Sequence, residues 1–204
     1  MELELSLIIL ILVYSIILHE VSHGFVAYLN GDRTAKEAGR ITLNPLPHID
    51  LLGTLILPAL LIFLRAGILF GWAKPVPFDP RNFRNKTLGV FTVGIAGPLT
   101  NFILAAIFGL AFREKGAADP FAKIYLYGAS INVFLALLNL VPIPPLDGSR
   151  AVGALLPGRI REFYYAIEPF GFFILIFLLY TGALGRLILP VYRSVMIFLT
   201  GVTI

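Results

Sequence analysis

Cysteine is absent from the 204 residues. That excludes a disulfide framework, a thiol nucleophile, and any zinc or iron–sulfur centre held by thiolates. Charge is scarce as well. Charged residues make up 14% of the chain against 58% hydrophobic, where a soluble domain carries about a quarter charged and about half apolar. The net charge is +4, yet no long basic run exists to grip nucleic acid, so nucleic acid is excluded as a partner. Mean hydropathy is +0.88. A disordered chain and a soluble enzyme are excluded on these grounds, and a polytopic all-α membrane protein in a lipid bilayer is indicated.

What the chain has in abundance is long apolar runs. The first covers residues 3–18, reads on as helix to residue 29, and stops at Asn30-Gly31, a helix-stop signal. Glu2 and Glu4 stand where a signal peptide would be basic, so this run is expected to stay as a span. Further runs occupy 51–70, 88–112, 124–141, 163–183 and 187–204. Hydropathy therefore predicts five or six transmembrane helices. They form one domain over residues 1–204, with a core at 5–150 and additional C-terminal helices at 163–204.

Residues 39–43 and the Pro-punctuated 72–78 read as short strands. Their pairing would put both ends of the 51–70 run on one side, making it a re-entrant hairpin. Pro58 and Arg65 inside the run suit broken backbone at membrane depth. The 74–78 edge would then be free to hold an extended peptide by strand addition. Charge favours the hairpin. With re-entry, Arg33, Lys36, Arg40, Lys74, Arg81, Arg84, Lys86, Arg150, Arg159 and Arg161 share a side, and only Arg113, Lys115, Lys123 and Arg186 oppose them, leaving out Arg65 and Arg193, which lie inside apolar runs. With a full crossing the bias vanishes. The positive-inside rule selects the first arrangement and puts the acidic N-terminus outside.

The chemistry concentrates in His19-Glu20-Val21-Ser22-His23. On a helix, residues i and i+4 share a face, so two imidazoles can grip one metal ion while Glu20 takes a proton from a metal-bound water. An ionisable residue in a span costs about 2.5–3.5 kcal/mol on insertion scales, and His19, Glu20 and His23 in so short a stretch need a compensating role. A catalytic zinc requires a third protein ligand and an open position. His48, Asp50, Asp147 or another carboxylate can supply that ligand. Asp147 follows a Pro-rich stretch, Pro142 to Pro145, that ends the fourth run and leaves it on irregular backbone. His48 is either a partner behind a metal ligand or a loop residue, and Asp50 reads best as a helix cap. Gly94, Gly97 and Pro98 form a small-residue helix interface. Trp72, Tyr164, Tyr165 and Tyr180 read as interfacial anchors.

Three segments together resemble the signatures of the site-2 protease family, intramembrane zinc metalloproteases of peptidase family M50. They are His-Glu-x-x-His in the first helix, Ala96-Gly97-Pro98-Leu99-Thr100-Asn101, and Asn139 through Asp147-Gly148. The resemblance implies one Zn2+ per chain, with His19, His23 and Asp147 as ligands and Glu20 as general base. It places Asn139 and Pro145 beside the substrate. Asn101, a polar residue inside an apolar helix, is read as a further substrate contact. The resemblance implies cleavage of transmembrane segments of other membrane proteins. The charge-based topology puts the site at the inner end of the first helix, opening to the cytoplasm of a cell membrane. The resemblance also suggests a minimal form without a PDZ or CBS domain. The rival reading of the same His and carboxylate cluster is a metal-ion or proton transporter. If zinc is shared, the first and fourth runs must be parallel, and 51–70 cannot cross between them.

Overall fold

The computed structural model describes residues 2–64 and 71–202. Helix α1, Glu2–Leu29, has 28 residues and ends at Asn30-Gly31, where Gly31 turns the chain at φ +110°. The short α2, Thr34–Glu37, follows. Asp50 caps a π-helical turn, Leu51–Ile56, by accepting from the Gly53 amide at 2.7 Å, which is the capping role expected of it. Helix α3, Leu57–Phe63, carries Pro58 in its first turn, where proline costs nothing.

The Trp72 amide returns to Gly53 O at 3.1 Å, and the Thr54 hydroxyl donates to Trp72 O at 2.8 Å. The described flanks of the 51–70 run therefore lie side by side. Arg65 and the rest of 65–70 fall outside the described residues.

Helix α4, Lys86–Lys115, is the centre of the molecule and packs on α1, α5, α6 and α9. Its buried face is mostly small: Gly89, Gly94, Ala96, Gly97, Ala105 and Gly109. Where lipid removes the hydrophobic drive between helices, such a face lets backbones approach and gain dispersion contact. Helix α5 is Ala122–Leu140 and α6 is Asp147–Leu155. Helices α7, Gly158–Ala166, and α8, Glu168–Tyr180, form a pair bent by 61°, and α9 is Ala183–Thr200.

Two sets of contacts fix the helix directions. The end of α1 meets the start of α4, with the Arg84 amide on Asn30 O at 3.0 Å and the Asn82 side chain on Asp32 at 2.8 Å. At the far end, Lys123 Nζ lies 3.6 Å from Glu4 Oε1, joining the start of α5 to the start of α1. Helices α1 and α5 are thus parallel and α4 antiparallel to both, so His19 and the segment after α5 arrive at one end of the bundle.

Four single helices among the described residues are long and apolar enough to cross a membrane, and the bent α7–α8 pair, counted as one span, makes five, the lower of the two numbers expected. The described part of 51–70 folds into two short helical pieces and adds no sixth. The expected β element is corrected: there is no strand among the described residues, and 39–43 and 72–78 do not pair. Pro75 and Pro77 have no amide to give. The donors and acceptors that remain go to unrelated partners. The Lys74 amide bonds His48 O at 2.9 Å, Lys74 O accepts from Arg40 at 2.7 Å, and the Val76 amide bonds a side chain of α1.

Candidate metal centre

Helical spacing puts His19 and His23 on the face of α1 that meets α4, both 7% exposed. Each ring is tied at Nδ1. His23 Nδ1 lies 2.7 Å from the Val93 carbonyl, and His19 Nδ1 lies 2.6 Å from Asn101 Oδ1. A carbonyl only accepts, so His23 carries its proton on Nδ1. The Asn101 amide nitrogen is committed elsewhere, to Asn132 Oδ1 at 2.8 Å and Ser15 O at 3.4 Å, so its oxygen faces His19. Asn132 is anchored in turn on the Ser15 hydroxyl and Gly128 O, both at 2.9 Å. This buried chain leaves both Nε2 atoms as bare lone pairs pointing inward.

Asp147 completes the group. Val141 to Leu146 reverses the chain after α5, and Asp147 is the first residue of α6. It does not sit on irregular backbone as expected: the prolines end α5, and a new helix starts at the carboxylate. Gly148 is required there, because a side chain would overlap the Leu140 carbonyl at the end of α5. Gly94 gives α6 room on α4, where a Cβ would lie 2.9 Å from the Ala151 amide nitrogen.

Asp147 Oδ2 is 2.9 Å from His19 Nε2 and 3.1 Å from His23 Nε2, and the two Nε2 atoms are 3.1 Å apart. With each Nδ1 carrying its proton, three acceptors face one another, an arrangement relieved by a bound metal ion or by a proton on one of the imidazoles. Donors on a tetrahedral zinc at about 2.0–2.1 Å lie roughly 3.3 Å from one another. The donor set therefore fits zinc in kind and in spacing. Gly97 lies directly beneath, where a Cβ would overlap both imidazoles.

His19, Glu20, His23 and Asp147 line one cavity of about 640 Å³, together with Trp72, Val76, Asn139, Pro145 and Arg150. Glu20 Oε2 accepts from the Val76 amide at 2.9 Å. Val76 stands between Pro75 and Pro77, so its amide is the one backbone donor within residues 75–77.

Of the residues singled out from sequence, Asn139 and Pro145 do line the cavity. Asn101 does not: it is 0% exposed and holds His19, which corrects its reading as a substrate contact. His48 is not part of the cluster of His19, His23 and Asp147. It sits buried on the turn Leu46–His48, and its Nε2 lies 2.9 Å from Thr42 O. Trp72 packs over Gly53 and faces the cavity, which a purely interfacial anchor would not do. Sequence reasoning missed Ser15, Val93, Asn132 and Val76. The available signals were polar Ser15 and Asn132, each inside an apolar helix.

The sequence model described as peptidase family M50 matches residues 109–179, and several relatives bear the name "putative zinc metalloprotease". YwhC of Bacillus subtilis (strain 168) is 37% identical over 194 residues, covering 89% of this chain and 83% of its own length. The chain belongs to peptidase family M50. Rip2 of Mycolicibacterium smegmatis is 37% identical over 180 residues, covering 84% of this chain and 66% of Rip2. MJ0611 of Methanocaldococcus jannaschii is 38% identical over 60 residues, 29% of this chain and 31% of its own. No solved structure matches. As an M50 member with several membrane-spanning helices, the protein is a multi-pass zinc metalloprotease.

Proposed function

We propose that this M50 protein is an intramembrane endopeptidase that cuts membrane-protein substrates in or near their transmembrane segments. The observation that carries the reading is the convergence of three lone pairs beside Glu20, in a cavity set among membrane-spanning helices. His19, His23 and Asp147 would hold the zinc, which when bound polarises a carbonyl and acidifies water toward neutral pH.

The chain's own groups do the rest. Val93 O and Asn101 orient the two imidazoles. Glu20 accepts a proton from the attacking water and returns it to the leaving amine nitrogen. The Val76 amide holds one carboxylate oxygen of Glu20, leaving the other to face the reaction. Part of the wall is apolar, including Ile16, Leu135, Phe172 and Leu175, which suits the apolar side chains of a membrane-protein substrate. A substrate helix hides its amides in its own hydrogen bonds, so it must unwind locally, and Gly, Pro or Asn in the substrate eases this.

In proteoliposomes, an apolar helical substrate with a central Gly-Pro break should be cut. A strong zinc chelator should stop the cutting, and stoichiometric zinc should restore it. A protein that carries zinc across the bilayer and leaves every such peptide whole is a transporter instead.

The reading includes a re-entrant 51–70 segment and a site opening to the cytoplasm of a cell membrane. It is supported by the ten-to-four division of Lys and Arg and by the bonds joining the end of α1 to the start of α4. The chain has no native cysteine, so single cysteines can be labelled without background. Thr34→Cys, Asn82→Cys and Arg159→Cys should react from the cytoplasmic face, and Glu2→Cys and Ala117→Cys from the opposite one. Labelling of positions 34 and 82 from opposite faces would refute this topology.

A further inference from the structure

Arg150 is a charged residue of the cavity that the hydrolytic mechanism does not use. It lies on α6, three residues after Asp147, so about 4.5 Å further along the axis and close to the same face. It lines the same cavity as His19, Glu20, His23 and Asp147.

The carboxylates that share this cavity are both engaged. Asp147 faces the two imidazoles, and Glu20 accepts from the Val76 amide. Arg150 makes neither an ion pair nor a hydrogen bond among the described residues. It is held instead by an aromatic face: its guanidinium carbon lies 5.0 Å from the centre of the Phe78 ring. Phe78 is itself stacked on the buried Phe83, with ring centres 5.9 Å apart at 12°.

A cation–π contact of this kind fixes the plane of the group without neutralising it and leaves its edge donors free. A divalent ion in the centre would be balanced by Asp147 and Glu20, and the Arg150 charge would still be unmatched. An unmatched guanidinium among apolar walls favours an anion, and a carboxylate matches its fork of donors.

We propose that Arg150 forms a carboxylate-binding subsite in the active-site cavity, so that the peptides accepted carry a carboxylate within a few residues of the bond to be cut. The proposal rests on the protease reading for its biological meaning. The carboxylate can come from an Asp or Glu side chain or from a chain end. The second source would make the enzyme a trimmer of fragments with free C-termini.

The test is a binding measurement on zinc-loaded Glu20→Gln protein in nanodiscs, read by fluorescence anisotropy, so that turnover plays no part. Three peptide sets are compared, all apolar with a central Gly-Pro break. One carries a single Glu at each position within four residues of the break and has blocked ends. The second has Gln in place of Glu. The third has Gln and a free C-terminal carboxylate ending at those positions.

At one or two positions the Glu peptide should bind about tenfold more tightly than its Gln partner, the scale of a charge-assisted hydrogen bond. Arg150→Met should remove the preference and Arg150→Lys should keep part of it, with zinc content unchanged in both. A preference confined to the third set supports the subsite and assigns it to chain ends. Equal binding of all three sets, or a Glu preference that survives Arg150→Met, overturns the proposal. If Arg150→Met does not fold, the comparison of sets on the Arg150 protein decides. Carboxylate-selective binding by a protein whose unsubstituted form cuts nothing would sink the protease reading and leave the subsite standing.

Discussion

Glu20→Gln should leave about one zinc per chain and lower peptide hydrolysis by roughly 10²–10⁴-fold, the range that a positioned general base contributes. The substitution keeps the shape of the side chain, and an amide oxygen still accepts from the Val76 amide, which now bonds Glu20 Oε2 at 2.9 Å. What is lost is the ability to take a proton from water and return it to the leaving nitrogen. The measurement is cleavage of a reconstituted substrate beside metal analysis of the same preparation. Hydrolysis at the unsubstituted rate would remove Glu20 from the mechanism. Loss of zinc along with activity would make Glu20 a ligand.

His19→Ala, His23→Ala and Asp147→Ala should each strip most of the metal and abolish hydrolysis, since each removes one of three donors that lie within 4.8 Å of one another. Asn101→Ala should act through His19 and weaken zinc binding about 10–100-fold, the usual cost of losing a partner behind a ligand. Gly97→Ala should be as damaging as a ligand loss, because its methyl would enter the space of both imidazoles. Zinc titration of the purified variants checks all five. Full zinc and activity in Asp147→Ala, together with loss of both in His48→Ala, would overturn the assignment. The geometry points the other way, because His48 bonds Thr42 O and touches none of the three donors.

The local parts of this protein were legible in one dimension. Apolar runs gave the α1, α4, α5 and α9 helices, because a lipid-spanning helix must be long and apolar whatever it packs against. His19 and His23 could be paired because four residues bring a helix back to the same face. The Asp50 cap followed from its place before an apolar run. Asp147 was reachable through the resemblance of its Pro-rich segment, while local pattern alone left it one of several possible third ligands.

Tertiary structure alone decided the rest, and sequence separation explains why. His19 meets Asn101 across 82 positions and Asp147 across 128, and Glu20 meets Val76 across 56. No local periodicity encodes such contacts. Pattern identified Asn101 as polar within an apolar helix, but only packing revealed that it faces a ligand and not the cavity. Pattern likewise favoured strands at 39–43 and 72–78, since β-branched residues and prolines suit a sheet edge. A strand exists only when a partner supplies a ladder. Here the Val76 amide bonds Glu20 and the Lys74 carbonyl bonds Arg40, so the hydrogen bonds of that segment built one wall of the cavity beside His19, His23 and Asp147 in place of a sheet.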